Sequence, residues 1–220
     1  MHHFSFDLEL YDPIKNKKKY QEYFIIKSES ILDELLQIME AKGIRTTFFI
    51  TNEFAQLFND ILHKRIISRH EIALHTSNHD FYTNNNINKF KKSIINNKRY
   101  LEKETGRKCL GFRAPGALLP KNIVRFLIKI KIKYDSSVIP GIQIGRAFNI
   151  KSPTFPYYPA IDNIFLSGNN QRELMEFPLL VTPYVRFSVN GFTFPYLYRF
   201  SKIQEKENEI TTYMHHRDFM

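Results

Sequence analysis

Apolar residues recur along the chain with alternating spacings. Residues 3–8, HFSFDL, read as a short strand of aromatic and β-favouring residues that ends in acids. Between Glu22 and Lys42 the apolar positions Ile31, Leu32, Leu35, Leu36 and Met39 fall at helical spacing, and Gly43 supplies a terminator. TTFFI (46–50) reads as a strand and NEFAQLFNDILHKR (52–65) as a helix. The alternation continues with EIALHT as strand, roughly 88–104 as helix, CLGFRAP as strand, 121–131 as helix and IKYDSS as strand. Strand and helix repeating in this order predict βα units around a parallel sheet, so the fold class is α/β.

From Pro140 to about Gln171 the pattern lapses into a stretch with Pro140, Pro153, Pro156 and Pro159 and several aromatics, including Tyr157 and Tyr158. A loop of that length in a domain is usually functional or disordered, and its aromatics favour a structured cap. Strand signals return at LMEFPLL (174–180) and ITTYMHH (210–216). No composition shift marks a second domain, and residues 1–220 read as one.

The polar residues that interrupt the apolar pattern fall at predicted strand ends: Asp7 and Glu9, His75, Arg113, Asp135 and His215. In parallel α/β barrels the carboxyl ends of the strands face one common site, so residues far apart in sequence would meet there.

Composition narrows the class. With 220 residues the chain fits one domain with a substantial core, and 43% hydrophobic with 15% aromatic residues excludes wholesale disorder. No segment approaches the roughly 20 uncharged apolar residues of a membrane span. Asp7 and Glu9 break the only apolar run near the N-terminus, so no signal-peptide pattern is read and cytoplasmic residence is the expectation. The net charge of +10 is scattered through KNKKK, KKSIINNKR and KIKIK without a nucleic-acid-binding motif. It reads as a solvated surface with a preference for anionic partners. The one cysteine, Cys109, excludes an intramolecular disulfide framework and any Cys-based zinc cluster. Its apolar neighbours suit a core thiol better than a catalytic one, so metal ligands must come from His, Asp or Glu.

In ALHTSNHD, His75 and His79 stand four residues apart, as across one helical turn, and both rings can converge on one cation. The plainer alternative is two surface histidines on a loop. In an extended strand residues i and i+2 point the same way, so Asp7 and Glu9 project to one face while Leu8 packs on the other. Two imidazoles with one carboxylate and an open position form the set of a catalytic Zn²⁺ or similar divalent ion. Such an ion acidifies bound water toward a pKa of about 7 and polarises a carbonyl. The second acid is then free to take a proton, Arg113 can hold it ionised, and His215 can protonate a leaving amine. An ordinary ion pair for Arg113 and a polar chain end for His215 and His216 are the alternatives. Ser136 and Ser137 lack a G-x-S-x-G elbow and read as structural, with Asp135 on the barrel rim or hydrogen-bonded within it.

FSFDLE, IRTTFFI, HEIALHTSNHDF, GFRAPG, YDSSVIP, EFPLL and YMHHRDF together resemble, in order and spacing, the polysaccharide deacetylases of carbohydrate esterase family 4, over nearly the whole chain. The resemblance implies a distorted (β/α) barrel of about seven strands, one divalent metal, most often zinc, and removal of N-acetyl groups from a glycan or glycan precursor. On the matching positions it implies His75 and His79 as metal ligands and Arg113 as the arginine that orients the base. It further implies Gly116 as the donor of an oxyanion N–H and His215 as the general acid, with His216 standing where proline is usual. Many members carry adjacent aspartates in the first motif. Here Leu8 separates Asp7 from Glu9, as in a subgroup with acid-x-acid, and by that match Asp7 is the base and Glu9 a metal ligand. The longer Glu9 side chain leaves the reverse assignment as the alternative. The expected substrate is an acetylated glycan or a lipid- or nucleotide-linked sugar, in surface polysaccharide or cell-envelope biosynthesis, with peripheral contact at the inner membrane face. Rival readings are a deformylase or amidase acting on another C–N bond and a non-catalytic glycan-binding relative. The aromatics of PTFPYYP and VNGFTFPYLYRF either line a sugar groove or cover the barrel.

Overall fold

Strand β1 (His2–Leu8) sends alternate side chains to two environments. Phe6 and Leu8 join the apolar layer between sheet and helices, while Ser5 and Asp7 turn to the barrel interior, where both meet Arg113. The same parity continues one residue past the strand, where Glu9 is fully buried beside the histidines. The computed structural model describes residues 2–10, 18–141, 151–181 and 210–219.

Helix α1 (Lys18–Ala41) buries Leu32, Leu36 and Met39 in the core and ends at Gly43, whose φ of 64° is the left-handed conformation expected of a helix terminator. Next come β2 (Thr47–Ile50), a broken helical stretch, β3 (Glu71–Leu74) and α5 (Ile87–Thr105). The broken stretch comprises α2 (Asn52–Leu57), α3 (Asn59–Ile61), a π-helical turn at Leu62–Ile66 and α4 (Ile67–Arg69), where the apolar pattern predicted one continuous helix. Phe54, Phe58, Leu62 and Ile66 all lie in the core at strict four-residue spacing. That period overshoots an α-helical turn by about 40° per step, and the wider π-turn takes up the drift. Thr51 caps the start, its hydroxyl accepting from Phe54 N at 3.2 Å.

Beyond α5 the regular elements shorten to β4 (Gly111–Phe112), α6 (Val124–Lys129), β5 (Tyr134–Asp135) and β8 (Met175–Glu176). The strand-like peptides around them run on as irregular chain. Within the stretch read as a loop, Pro159–Ala160 (β6) and Asn163–Ser167 (β7) pair as an antiparallel hairpin. Tyr157 anchors it, buried, with its hydroxyl donating to Ile164 O at 2.6 Å. Two residues of β6 leave too short an alternation to show through the prolines. The second aromatic peptide, VNGFTFPYLYRF, lies outside the described residues.

Strand β9 (Ile210–His215) completes a seven-stranded sheet in the order β8-β5-β4-β3-β2-β1-β9, with every pairing parallel. The sheet curls, and a parallel bridge of Leu179 with Thr211 joins its two edges just past β8. This is the distorted (β/α) barrel expected from the sequence. Gly111 is what lets Tyr134 lie across the interior, since a Cβ there would sit 2.2 Å from the ring's Cζ. Cys109 is fully buried in the core, as expected, and burial pushes its thiol up to about 12. Among the described residues no helix is long and apolar enough to cross a membrane.

Candidate metal centre and active site

The carboxyl ends of β1, β3, β4 and β9 converge on one side of the barrel, bringing Asp7, Glu9, His75, His79, Arg113 and His215 together. His75 follows β3 directly. Its backbone N–H donates to Asn97 Oδ1 of α5 at 2.9 Å, and Asn97 Nδ2 donates to Ile50 O at 3.0 Å and to Asn52 Oδ1 at 2.8 Å. From there the chain turns sharply, with Thr76 at φ 63° and His79 at φ 52°. The two histidines are therefore brought together by a tight loop rather than by the helical turn their spacing suggested. Ser93 of α5 pins that loop, accepting from Ser77 N at 2.9 Å and donating to Asp80 Oδ2 at 2.6 Å.

The three potential ligand atoms of Glu9, His75 and His79 lie within 4.8 Å of one another. Glu9 Oε2 is 3.2 Å from His75 Nε2 and in close contact with His79 Nε2. His75 Nδ1 lies 2.8 Å from Arg113 O. With Nδ1–H given to that carbonyl, Nε2 is the ring atom that faces Glu9, donating to the carboxylate when the ring is protonated and offering a lone pair to a cation when it is neutral, the arrangement usual for metal-ligating imidazoles. Buried carboxylate and imidazole donors crowded this closely, with one ring nitrogen already spoken for, fit a divalent cation.

Asp7 stands apart from that group and belongs to Arg113. Arg113 Nη1 donates to Asp7 Oδ1 at 2.7 Å, and three further bonds hold the guanidinium: Nε to Ser136 O at 2.8 Å, and Nη2 to Ser5 Oγ at 2.8 Å and Ser136 Oγ at 2.9 Å. The guanidinium also lies over the Phe49 ring, 3.9 Å from its centroid. Asp7 Oδ2 is left facing His75 Nε2 at 3.9 Å and His215 Nε2 at 4.0 Å. His215 Nε2 is 3.5 Å from Glu9 Oε1, and its backbone N–H donates to Asp218 Oδ2 at 2.8 Å.

Burial opposes ionisation of Asp7, but Arg113, then His75 and His215, overcome it and hold the carboxyl below its ordinary value. Glu9 is likewise held far below its usual range: burial works against the charge, and the hydrogen bonds from His75 and His79 more than offset it. His75 is penalised by burial yet raised by Asp7 and Glu9, whereas for His79 burial prevails and its pKa falls.

Gly116 sits with φ 61° in the 3₁₀ turn Pro115–Ala117, two residues beyond Ala114. His216, next to His215, turns the other way, with Nε2 3.1 Å from Ser28 Oγ of α1 and its ring edge-on to Phe54. It anchors the strand end. Ser5 and Asn97 were not picked out from the sequence, and Ser136 was read there as structural without its hold on Arg113. Ser5 had a signal, since it lies two residues before Asp7 on the same strand face.

The family model for polysaccharide deacetylases matches residues 23–134, just over half of the chain. The chain belongs to the polysaccharide deacetylase family. The matched span carries His75, His79 and Arg113, and Asp7, Glu9 and His215 flank it. Among solved structures, Puue allantoinase superposes with a TM-score of 0.71 at 15% identity, covering 98% of this chain and 77% of that one. A Mycobacterium smegmatis protein assigned as a polysaccharide deacetylase gives 0.67 at 18% identity, with 98% and 76% covered. One from Pseudomonas aeruginosa PAO1 gives 0.66 at 14%, with 98% and 78% covered. These likenesses establish a shared fold. No curated protein matches this deacetylase-family chain in sequence.

Proposed function

We propose that this member of the polysaccharide deacetylase family is a metal-dependent hydrolase that removes N-acetyl groups from a glycan or a lipid- or nucleotide-linked glycan precursor. The observation that carries the reading is the separation of the two acids: Glu9 joins His75 and His79, while Asp7 is held by Arg113 with one oxygen left toward the site. Glu9, His75 and His79 would hold the metal, zinc being the first candidate for this donor set. Bound there, the ion would supply Lewis acidity for an attacking water and for the amide carbonyl.

The chain's own residues supply the proton transfers. Arg113 occupies Asp7 Oδ1, so Oδ2 is the oxygen that takes the proton from water as the water oxygen bonds to the acetyl carbon. His215 then gives a proton to the sugar nitrogen as the C–N bond breaks, leaving acetate and a free amine. Its 4.0 Å approach to Asp7 Oδ2 and 3.5 Å approach to Glu9 Oε1 place an imidazole beside two carboxylates, which suits a proton carrier. Gly116, just past the Arg113–Pro115 segment, is the proposed oxyanion N–H donor. Its left-handed φ is a conformation natural to glycine.

The test is acetate release from N-acetylglucosamine oligomers and lipid-linked N-acetyl sugars, with metal content measured on the same sample. Zinc-dependent release lost in Asp7→Asn and His75→Ala is the expected result. Protein that holds about one metal yet releases no acetate from any acetylated glycan would sink the deacetylase reading. Release of formate or another acyl group instead would move the activity to a different C–N bond.

A further inference from the structure

Asp135 and Glu176 are partners in register across the β5/β8 pairing, and neither is exposed to solvent. Ser137 N and Ser137 Oγ donate to Asp135 Oδ1 and Oδ2 at 3.0 and 2.9 Å, and Val138 N donates to Glu176 Oε1 at 3.0 Å. Glu176 Oε2 is buried and meets no N–H or O–H donor, and its polar neighbour is the Asp135 carboxyl. Two ionised carboxylates side by side in a dry site repel, and an oxygen without a donor adds the cost of a lost hydrogen bond. A single proton held between them removes one charge and makes the missing bond. Burial accordingly pushes both acids up, Glu176 the further, against the pull of Arg113, which acts on both. The buried hydroxyl of Tyr157, which bridges Glu176 through its backbone, adds no charge.

Of the residues that follow the two acids, Ser136 grips Arg113 and Phe177 holds Ser136. Ser136, next to Asp135, accepts from Arg113 through both its carbonyl and its hydroxyl, and that hydroxyl donates to the carbonyl of Phe177, next to Glu176, at 2.9 Å. Ser137 Oγ, which donates to Asp135, accepts from the backbone N–H of Ala114, the residue after Arg113, at 2.8 Å. The acid pair thus ties together the strand ends that fix the guanidinium.

We infer that Asp135 and Glu176 form a proton-sharing carboxyl pair that positions Arg113, and through it the Asp7 carboxylate, for catalysis. The catalytic part rests on the proposed role of Asp7 as base; the shared proton does not. Both acids are positioning residues, since neither touches the place where substrate would react.

The neutral isostere separates the pair's proton from mere packing. In Glu176→Gln the amide oxygen still accepts from Val138 N and the amide nitrogen donates to Asp135 as the acid proton does. Because supporting residues behind a site typically change activity 10–100-fold, we expect kcat within about twofold of the parent in Glu176→Gln and roughly 10–100-fold lower in Glu176→Leu, with KM little changed. Infrared spectra of the unmutated protein at pH 7 should show the carbonyl stretch of a buried protonated carboxylic acid, absent in Glu176→Gln. The Arg113 Nε–H resonance should keep its position in Glu176→Gln and move in Glu176→Leu. No acid band in the parent, a Glu176→Gln variant as impaired as Glu176→Leu, or a folded Glu176→Leu with full kcat would each overturn the inference. If Glu176→Leu does not fold, the acid band and the Glu176→Gln rate still decide. If the parent shows the band and the arginine response but deacetylates nothing, the proposed function fails and the acid pair stands.

Discussion

Replacing Arg113 by methionine gives a prediction whose size follows from the contacts around it. The side chain is 2% exposed and directs four hydrogen bonds at Asp7, Ser5 and Ser136 while lying on Phe49. Methionine keeps most of the volume and the contact with Phe49, so a cavity contributes little. What remains is a buried Asp7 carboxylate stripped of its cation, a loss of about 3–5 kcal/mol for breaking a buried pair from one side. The unpaired Ser136 carbonyl and two hydroxyls add to it, at about 1–3 kcal/mol for each acceptor that cannot find another donor. Metal-free protein in urea is the appropriate assay, because bound metal would stabilise both forms.

The pH dependence has a definite sign. In the parent the carboxyl of Asp7 is held below its ordinary value, so its contribution to stability is present above the unfolded-state pKa of about 3.9 and is lost as pH falls through the folded value. In Arg113→Met the largest lowering influence is gone and burial acts against the charge. The variant should therefore be most destabilised near pH 7, and the gap to the parent should narrow as pH drops toward 4 and Asp7 takes up a proton. A variant within about 1 kcal/mol of the parent at pH 7, or a gap that does not change with pH, would refute the account of Arg113 as the counter-ion of a buried carboxylate.

Two further outcomes test the scaffold around the site. Asn97→Ala removes the acceptor for the His75 backbone and donors to Ile50 and Asn52, and should cost about 1–3 kcal/mol and weaken metal binding roughly 10–100-fold in a chelator competition; stability unchanged within about 0.5 kcal/mol would show that α5 does not hold the loop. Cys109, fully buried with its thiol pushed up to about 12, should resist a thiol reagent at pH 8 in the native protein and react once urea unfolds it, and prompt native labelling would contradict the packing around it.

The features readable in advance were those that depend on local alternation. Asp7 and Glu9 share a face because a strand repeats every two residues, and that placed both in the site while Leu8 entered the core. The order of strand and helix likewise led to a parallel sheet with polar residues at its carboxyl end. The failures came where tertiary geometry overrides the local period. The four-residue spacing of His75 and His79 suggested a helical turn, yet a loop with two left-handed residues, pinned by Asn97 and Ser93, does the work. The stretch after Thr51 looked uniformly helical because a π-turn preserves the same apolar faces that an α-helix would show. The β6/β7 hairpin, with one strand of two residues, carries too little alternation to read. Ser136 read as structural and is so, but that it holds Arg113 depends on a strand that β4 meets only in the fold.

The position of β9 has a kinetic consequence. Its register with β1 pairs His2 with Ile210 and Asp7 with His215, joining segments about two hundred residues apart, the kind of contact that pays its loop-closure entropy late in folding. On its other flank β9 has the bridge of Thr211 with Leu179 at the seam of the barrel. The Glu9, His75 and His79 group belongs to the ends of β1 and β3, inside the sheet, whereas His215 rides on the strand at its margin. Fraying of that margin would withdraw the imidazole while leaving Glu9, His75 and His79 assembled. On the proposed function, metal affinity and turnover should then part company under mild denaturant, with turnover disappearing first.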